Sequence, residues 1–82
     1  MDDQVWQRLA AVAAEALGLD PAEISPSSTW DELGADSLER VELSLMIEDA
    51  FDVRLPEDAE PEEMATPGLV AGLVEKALAD RD

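Results

Sequence analysis

The sequence contains no cysteine and no histidine among its 82 residues. Without cysteine there is neither a disulfide framework nor a thiolate metal site, and without histidine the commonest zinc ligand is missing. The imidazole that activates serine in many hydrolases is missing too, so a serine here has no such partner. We therefore expect no catalytic residue, no metal site and a core stabilised by packing alone.

Basic residues are also scarce, with five Lys and Arg against 21 Asp and Glu, and the formal net charge is −16. Such a surface repels nucleic acid and anionic lipid and attracts basic surfaces on other proteins. The apolar content of 46% is too high for a disordered acidic chain. No apolar run could span a bilayer, and the acidic start MDDQ is unlike a signal peptide, so we expect a cytoplasmic protein. We also expect it to be a monomer.

The first half of the chain predicts one helix and one long loop. Apolar residues recur at helical spacing over residues 3–17, and Gly18 is a typical helix end. From there to Gly34 the chain is rich in proline, serine and threonine, which predicts a loop. Two apolar residues within it, Ile24 and Trp30, are expected to anchor the loop to the core.

The second half predicts two further helices and a short turn between them. Asp36 and Glu39 form a capping-box pattern for a helix that runs to about Phe51. The prolines that follow leave room only for a short, irregular helical turn around Pro61. Pro67, after a capping threonine, begins the last helix. No segment alternates with period two, so we expect an all-α four-helix bundle with three longer helices and a short third one.

The second predicted helix has apolar residues on two opposite sides. Its core-facing stripe is predicted to comprise Leu43, Met46, Ile47, Ala50 and Phe51. The opposite side carries Leu38, Val41 and Leu45, interleaved with Glu42, Glu48 and Asp49. An apolar strip ringed by acids is typical of a docking site for a basic, partly apolar partner. The alternative is that neighbouring elements pack against both sides of this helix.

Ser37 lies at the start of this helix, where a serine often does no more than satisfy free backbone N–H groups. Its surroundings indicate more. The strings LGADSL at 33–38, VEL at 41–43, FDV at 51–53 and LP at 55–56 resemble the acyl carrier proteins of fatty-acid and polyketide synthesis. The resemblance extends over nearly the whole chain and includes the order of its predicted helices.

The resemblance implies that Ser37 is the attachment site of a 4′-phosphopantetheine arm, transferred from coenzyme A by a phosphopantetheinyl transferase. The thiol of the arm would hold acyl groups as thioesters. The chain would then be a phosphoprotein and a freestanding acyl carrier protein without catalytic activity, with residues 1–82 as its single domain.

The family's other roles map onto the second helix and the residues after it. Contacts with partner enzymes, among them the transferase, a ketosynthase and an acyltransferase, are implied for Asp36, Leu38, Val41, Glu42, Leu45, Glu48 and Asp49. A pocket that shelters the acyl chain between the helices is implied for Met46, Ile47, Leu55, Met64 and Ala65. As ordinary core residues these five would need no such role.

Three residues depart from the family pattern. Arg40 stands where small neutral residues are common, Arg54 interrupts an acidic stretch, and Pro61 lies in a segment one residue longer than usual. These departures favour a specialised pathway such as polyketide synthesis over housekeeping fatty-acid synthesis. Two alternatives remain: an aminoacyl or peptidyl carrier protein, and an unmodified acidic helical adaptor in which Ser37 is only structural. Calcium binding of the EF-hand type is excluded because its loop motif is absent.

Overall fold

The computed structural model describes residues 3–56 and 58–80, and this part of the chain forms three α-helices and no strand. The helices are α1 (Asp3–Leu17), α2 (Ser37–Phe51) and α3 (Pro67–Ala79). Two short 3₁₀ turns lie in the connections, at Pro21–Glu23 and Pro61–Met64. The predicted all-α class is confirmed, and the three longer helices lie where the sequence places them.

The predicted short third helix is represented only by the 3₁₀ turn Pro61–Met64, so a bundle of four α-helices is not confirmed among the described residues. Two prolines account for the length of this turn. Proline is tolerated only in the first turn of a helix, so Pro61 marks the earliest start. Pro67 disfavours the helical conformation in the residue before it, and Thr66 is indeed extended, with φ −130° and ψ 156°. A single turn is all that fits between them.

The ends of α1 and α3 follow local rules that the sequence already indicates. The Thr66 hydroxyl oxygen accepts a hydrogen bond from the Leu69 backbone N–H at 3.2 Å and caps α3. Gly18 has φ 71° and ends α1, and the N–H of Leu19 donates back to the Ala14 carbonyl at 2.9 Å. Both helix limits are therefore set by short-range hydrogen bonds.

The buried apolar side chains form one cluster to which all three helices contribute. Its largest fully buried members include Leu9 of α1, Ile47 of α2 and Val74 of α3. The long loop contributes Ile24 and Trp30, both buried, which confirms the predicted anchors. Among the described residues no helix is both long and apolar enough to cross a membrane.

Hydrogen bonds join the long loop to the chain segment that leads into α3. The N–H of Gly68 donates to the Pro26 carbonyl at 3.0 Å. The backbone N–H of Trp30 donates to the Ala65 carbonyl at 3.2 Å, and its indole Nε1 donates to the Met64 carbonyl at 2.8 Å. The loop therefore closes one side of the space between α2 and α3.

Candidate functional site

The start of α2 is held in place by hydrogen bonds on both sides of its first residue. Asp36 Oδ1 accepts from the Glu39 N–H at 2.8 Å, and Glu39 Oε1 accepts from the Asp36 N–H at 3.2 Å. This confirms the predicted capping box. Just before it, Ala35 is buried and its N–H donates to the Trp30 carbonyl at 3.0 Å. The backbone that presents the next residue is thus fixed.

That next residue is Ser37, the first residue of α2, and it is exposed. Other serines have hydroxyls that are hydrogen-bonded within the chain. The Ser44 hydroxyl donates to the Val41 carbonyl at 2.8 Å, and the hydroxyls of Ser25 and Ser27 lie 3.2 Å apart. An exposed hydroxyl at a helix N-terminus is placed where the helix dipole favours an added negative charge. The chain has no histidine that could act as a base toward this hydroxyl.

A cavity of about 290 Å³ opens beside Ser37, between α2, the long loop and the second 3₁₀ turn. Three of the predicted pocket residues, Ile47, Leu55 and Met64, line it. Most of the other residues that line it are apolar. The polar ones are Ser37, Arg40 and Ser44, all on α2. An exposed hydroxyl therefore lies at the edge of a mainly apolar cavity.

Two predicted pocket residues, Met46 and Ala65, are not among those that line this cavity. Met46 is exposed, so the prediction that it belongs to the core stripe is wrong. The buried stripe of α2 is narrower than its apolar content indicates and consists of Leu43, Ile47 and Phe51 at i, i+4 spacing. Met46 lies beside that stripe, at the edge that faces solvent.

Six residues that line the cavity were given no functional role by the sequence: Trp30, Arg40, Leu43, Ser44, Ala59 and Val70. Arg40 and Ser44 follow Ser37 by three and seven residues, a spacing that places them on one side of a helix and could have indicated them. The indole N–H of Trp30 also needed a buried partner, which is a weaker signal. Ala59 lies in an irregular segment, where no sequence pattern could have predicted it as a cavity residue.

Away from its buried stripe, α2 exposes three large apolar residues to solvent, and one of them, Val41, also lines the cavity. Leu38, Val41 and Leu45 are 67%, 58% and 59% exposed. Glu42 and Asp49 beside them are exposed as well. The alternative in which neighbouring elements cover both sides of this helix is therefore excluded for this chain. We call these five residues the docking face.

Glu48 differs from the other acids predicted on this side, because its carboxylate has a partner within the chain. Its Oε2 accepts a hydrogen bond from the Leu55 N–H at 2.8 Å, and its backbone carbonyl accepts from the Val53 N–H at 3.1 Å. Glu48 is only partly exposed. Its observed contacts hold the chain after α2 so that Leu55 reaches the cavity.

In the loop that leads to the site, Glu32 has a pKa below its ordinary value. The main cause is the Thr29 backbone N–H, which donates to Glu32 Oε1 at 2.9 Å. The Thr29 hydroxyl adds a second hydrogen bond at 3.1 Å to the same oxygen. Both bonds favour the ionised carboxylate, so this turn is stabilised by a charge.

One comparison with known proteins bears on this arrangement. A family model described as a phosphopantetheine attachment site matches residues 7–74, which are 68 of the 82 residues. The matched segment includes the long loop, all of α2, the residues around the cavity and more than half of α3.

Proposed function

Since the chain belongs to the family of phosphopantetheine attachment domains, we propose that Ser37 is the residue that bears its 4′-phosphopantetheine arm. Members of this family hold the arm covalently and are carriers rather than enzymes. The observation that carries the choice of residue is the exposed Ser37 hydroxyl, at the first position of α2 and beside the cavity. On this proposal residues 1–82 act as one carrier domain.

The surroundings of Ser37 fit such a group. The first turn of α2 has N–H groups and a partial positive charge that favour the phosphodiester. The adjacent cavity is large enough to admit part of a flexible chain, and Leu43, Ile47 and Val70 give it apolar walls. When bound, the arm supplies a terminal thiol that holds the cargo as a thioester.

Loading needs groups that this chain lacks, and a transferase would supply them. The Ser37 oxygen attacks the pyrophosphate phosphorus of coenzyme A that bears the pantetheine. A new phosphorus–oxygen bond forms, the bond to the adenosine-bearing phosphate breaks, and the hydroxyl proton passes to a base of the transferase. Mg²⁺ bound with coenzyme A would offset the charge on the leaving phosphate.

We infer that the cargo is an acyl group and that the pathway is polyketide, specialised-metabolite or fatty-acid synthesis. The string GADS at 34–37 and the mainly apolar cavity support an acyl over an aminoacyl cargo. An aminoacyl or peptidyl carrier protein is the alternative. The proposal includes a monomeric protein in the cytoplasm.

We further propose that the docking face receives the partner enzymes. Its apolar residues are exposed and its acids complement basic surfaces, so a transferase, a ketosynthase or an acyltransferase could approach there. Asp36 lies at its edge, exposed, with its carboxylate also capping α2. Glu48 is a weaker candidate for direct contact because its carboxylate bonds to Leu55.

The test is the intact mass of the purified protein after incubation with coenzyme A, Mg²⁺ and a promiscuous phosphopantetheinyl transferase. A carrier gains the mass of one arm, whereas an unmodified acidic adaptor gains nothing. The mass of the protein purified from its native host then separates the two kinds of carrier, because an acyl and an aminoacyl thioester differ in composition.

A further inference from the structure

One cation lies next to the proposed attachment site on this acidic protein. Arg40 follows Ser37 by one helical turn, lines the same cavity and is partly buried. Side chains three residues apart on a helix are neighbours. The basic residue on the chain segment after α2, Arg54, is exposed and does not line this cavity. Among the described residues, Arg40 is the Lys or Arg side chain that lines this cavity with Ser37, so it is well placed to meet a group on that residue.

The acids near this position already have hydrogen-bond donors. Asp36 and Glu39 accept from each other's backbone N–H groups in the capping box. A phosphodiester on Ser37 would add a further negative charge between these carboxylates. A guanidinium group offers a planar pair of donors that matches phosphate oxygens and would offset that repulsion.

Ser44 extends the polar side of the cavity by one more turn of α2. Its hydroxyl proton is used in the bond to the Val41 carbonyl, so its oxygen is left to accept. Amide N–H groups, which a pantetheine chain contains, are donors of the matching kind. Ser37, Arg40 and Ser44 thus form a polar line along the cavity side of α2, away from the exposed Leu38 and Leu45.

We propose that Arg40 is a positioning residue that pairs with the phosphate on Ser37 and directs the arm along the cavity side of α2. This inference rests on the proposed function of Ser37. Without the cation, the arm would be free to lie over the docking face, where Leu38 and Leu45 offer apolar surface outside the cavity. While no partner enzyme is bound, Arg40 would then favour the cavity side of α2 as the position of the arm and its cargo.

The experiment compares ¹⁵N-labelled protein before and after loading with coenzyme A and a transferase, with intact mass as the proof of loading. The Arg40 Nε–Hε signal, identified by its loss in Arg40→Gln, should shift on loading, and so should the amide signals of Ala59 and Met64 at the cavity. In loaded Arg40→Gln these two shifts should fall by up to about half, because the loss of one i, i+3 ion pair removes a roughly twofold bias toward the cavity side. Arg40→Lys should retain part of them.

Arg54→Gln is the matched control, because it removes the same charge away from the cavity and should leave the loading shifts unchanged. Loaded Arg40→Gln with wild-type shifts at Ala59 and Met64 would overturn this proposal alone. Equal losses in Arg54→Gln would overturn it as well, since net charge would then explain the effect. A wild-type protein that gains no arm would overturn the attachment site too, and the mass shows this before any spectrum is recorded.

Discussion

Ser37 and Ser44 lie two turns apart on the same helix, and their surroundings give the two hydroxyls different capacities. Ser44 donates to the Val41 carbonyl one turn back, a local bond that helical serines often make. Ser37 is at the first position, where the helix leaves backbone N–H groups free and favours negative charge. The flanking string GADSL indicated this serine. Helix propensity alone would have predicted only a structural role for Ser37 at the start of the helix.

Residue-scale prediction was least successful where a side chain bonds to a distant backbone group. Glu48 was assigned to the partner-facing acids because periodicity places it near Val41 and Leu45. Its carboxylate instead accepts from Leu55, seven residues on and beyond the end of the helix. Periodicity describes one helix at a time, so it could not indicate a bond to the chain that follows.

The turn around Glu32 gives a prediction for pH dependence. Hydrogen bonds from Thr29 lower the folded-state pKa of this carboxyl group, so its ionised form stabilises the fold above the unfolded-state pKa. That contribution is lost as pH falls through the lowered folded-state pKa. Glu32→Gln should therefore lower the Tm at neutral pH, and the difference from wild type should vanish at pH well below 4. Thermal melts across pH 2–7 would detect this, and a constant difference would contradict it.

At the scale of whole elements, the helices were predictable because local chemistry sets their ends. Asp36 caps α2 with Glu39, and Thr66 caps α3 ahead of Pro67, as the sequence indicates. The first 3₁₀ turn, Pro21–Glu23, was not foreseen, although Asp20 forms its own capping box there. A three-residue turn within a loop produces no periodicity from which it could be predicted.

Two glycines of α3 give opposite predictions for the same substitution. A Cβ atom on Gly68 would lie 2.7 Å from the Pro26 carbonyl oxygen, whereas a Cβ on Gly72 would meet nothing within 4 Å. Gly72→Ala should stabilise the protein by about 1 kcal/mol, the helix-propensity gain, and raise the Tm by several degrees. Gly68→Ala should lower the Tm despite that gain, because the loop must move. Thermal denaturation measures both, and equal shifts would show that Pro26 is not held against α3.

The docking face gives a prediction for association rates. Glu42→Lys should slow association with the transferase by about threefold or more at low salt, because it reverses the charge that steers a basic partner. The loss should shrink as salt rises, since screening acts over about 8 Å at physiological ionic strength. Stopped-flow or surface-based kinetics over a salt series would measure it.

Glu15→Lys is the matched control, since Glu15 is exposed on α1 and the substitution changes net charge equally. It should slow association much less than the change at Glu42. If the association rate falls equally in both variants, the acidic surface acts only through its net charge of −16, and the docking face has no local role.

For the molecule as a whole, the cavity illustrates the limit of sequence-based prediction. Its lining comes from the loop at Trp30, from α2, from the chain after it at Leu55, from the second 3₁₀ turn at Met64 and from α3 at Val70. Trp30, Leu55, Met64 and Val70 can each be recognised as apolar from the sequence. That they meet around one cavity depends on tertiary hydrogen bonds, such as the one from the Trp30 indole to the Met64 carbonyl. The acidic charge of the whole chain, by contrast, follows directly from composition.

The central claim is that one hydroxyl, that of Ser37, carries the arm, and fragment mass spectrometry of the loaded protein tests it most directly. The arm should lie on the fragment that contains Ser37. Ser37→Ala should remain folded, at a cost under about 1 kcal/mol for a polar group at a helix end, and gain no arm. Ser44→Ala should be loaded like wild type. An arm found on any other residue, or a Ser37→Ala protein that still gains one, would contradict the account.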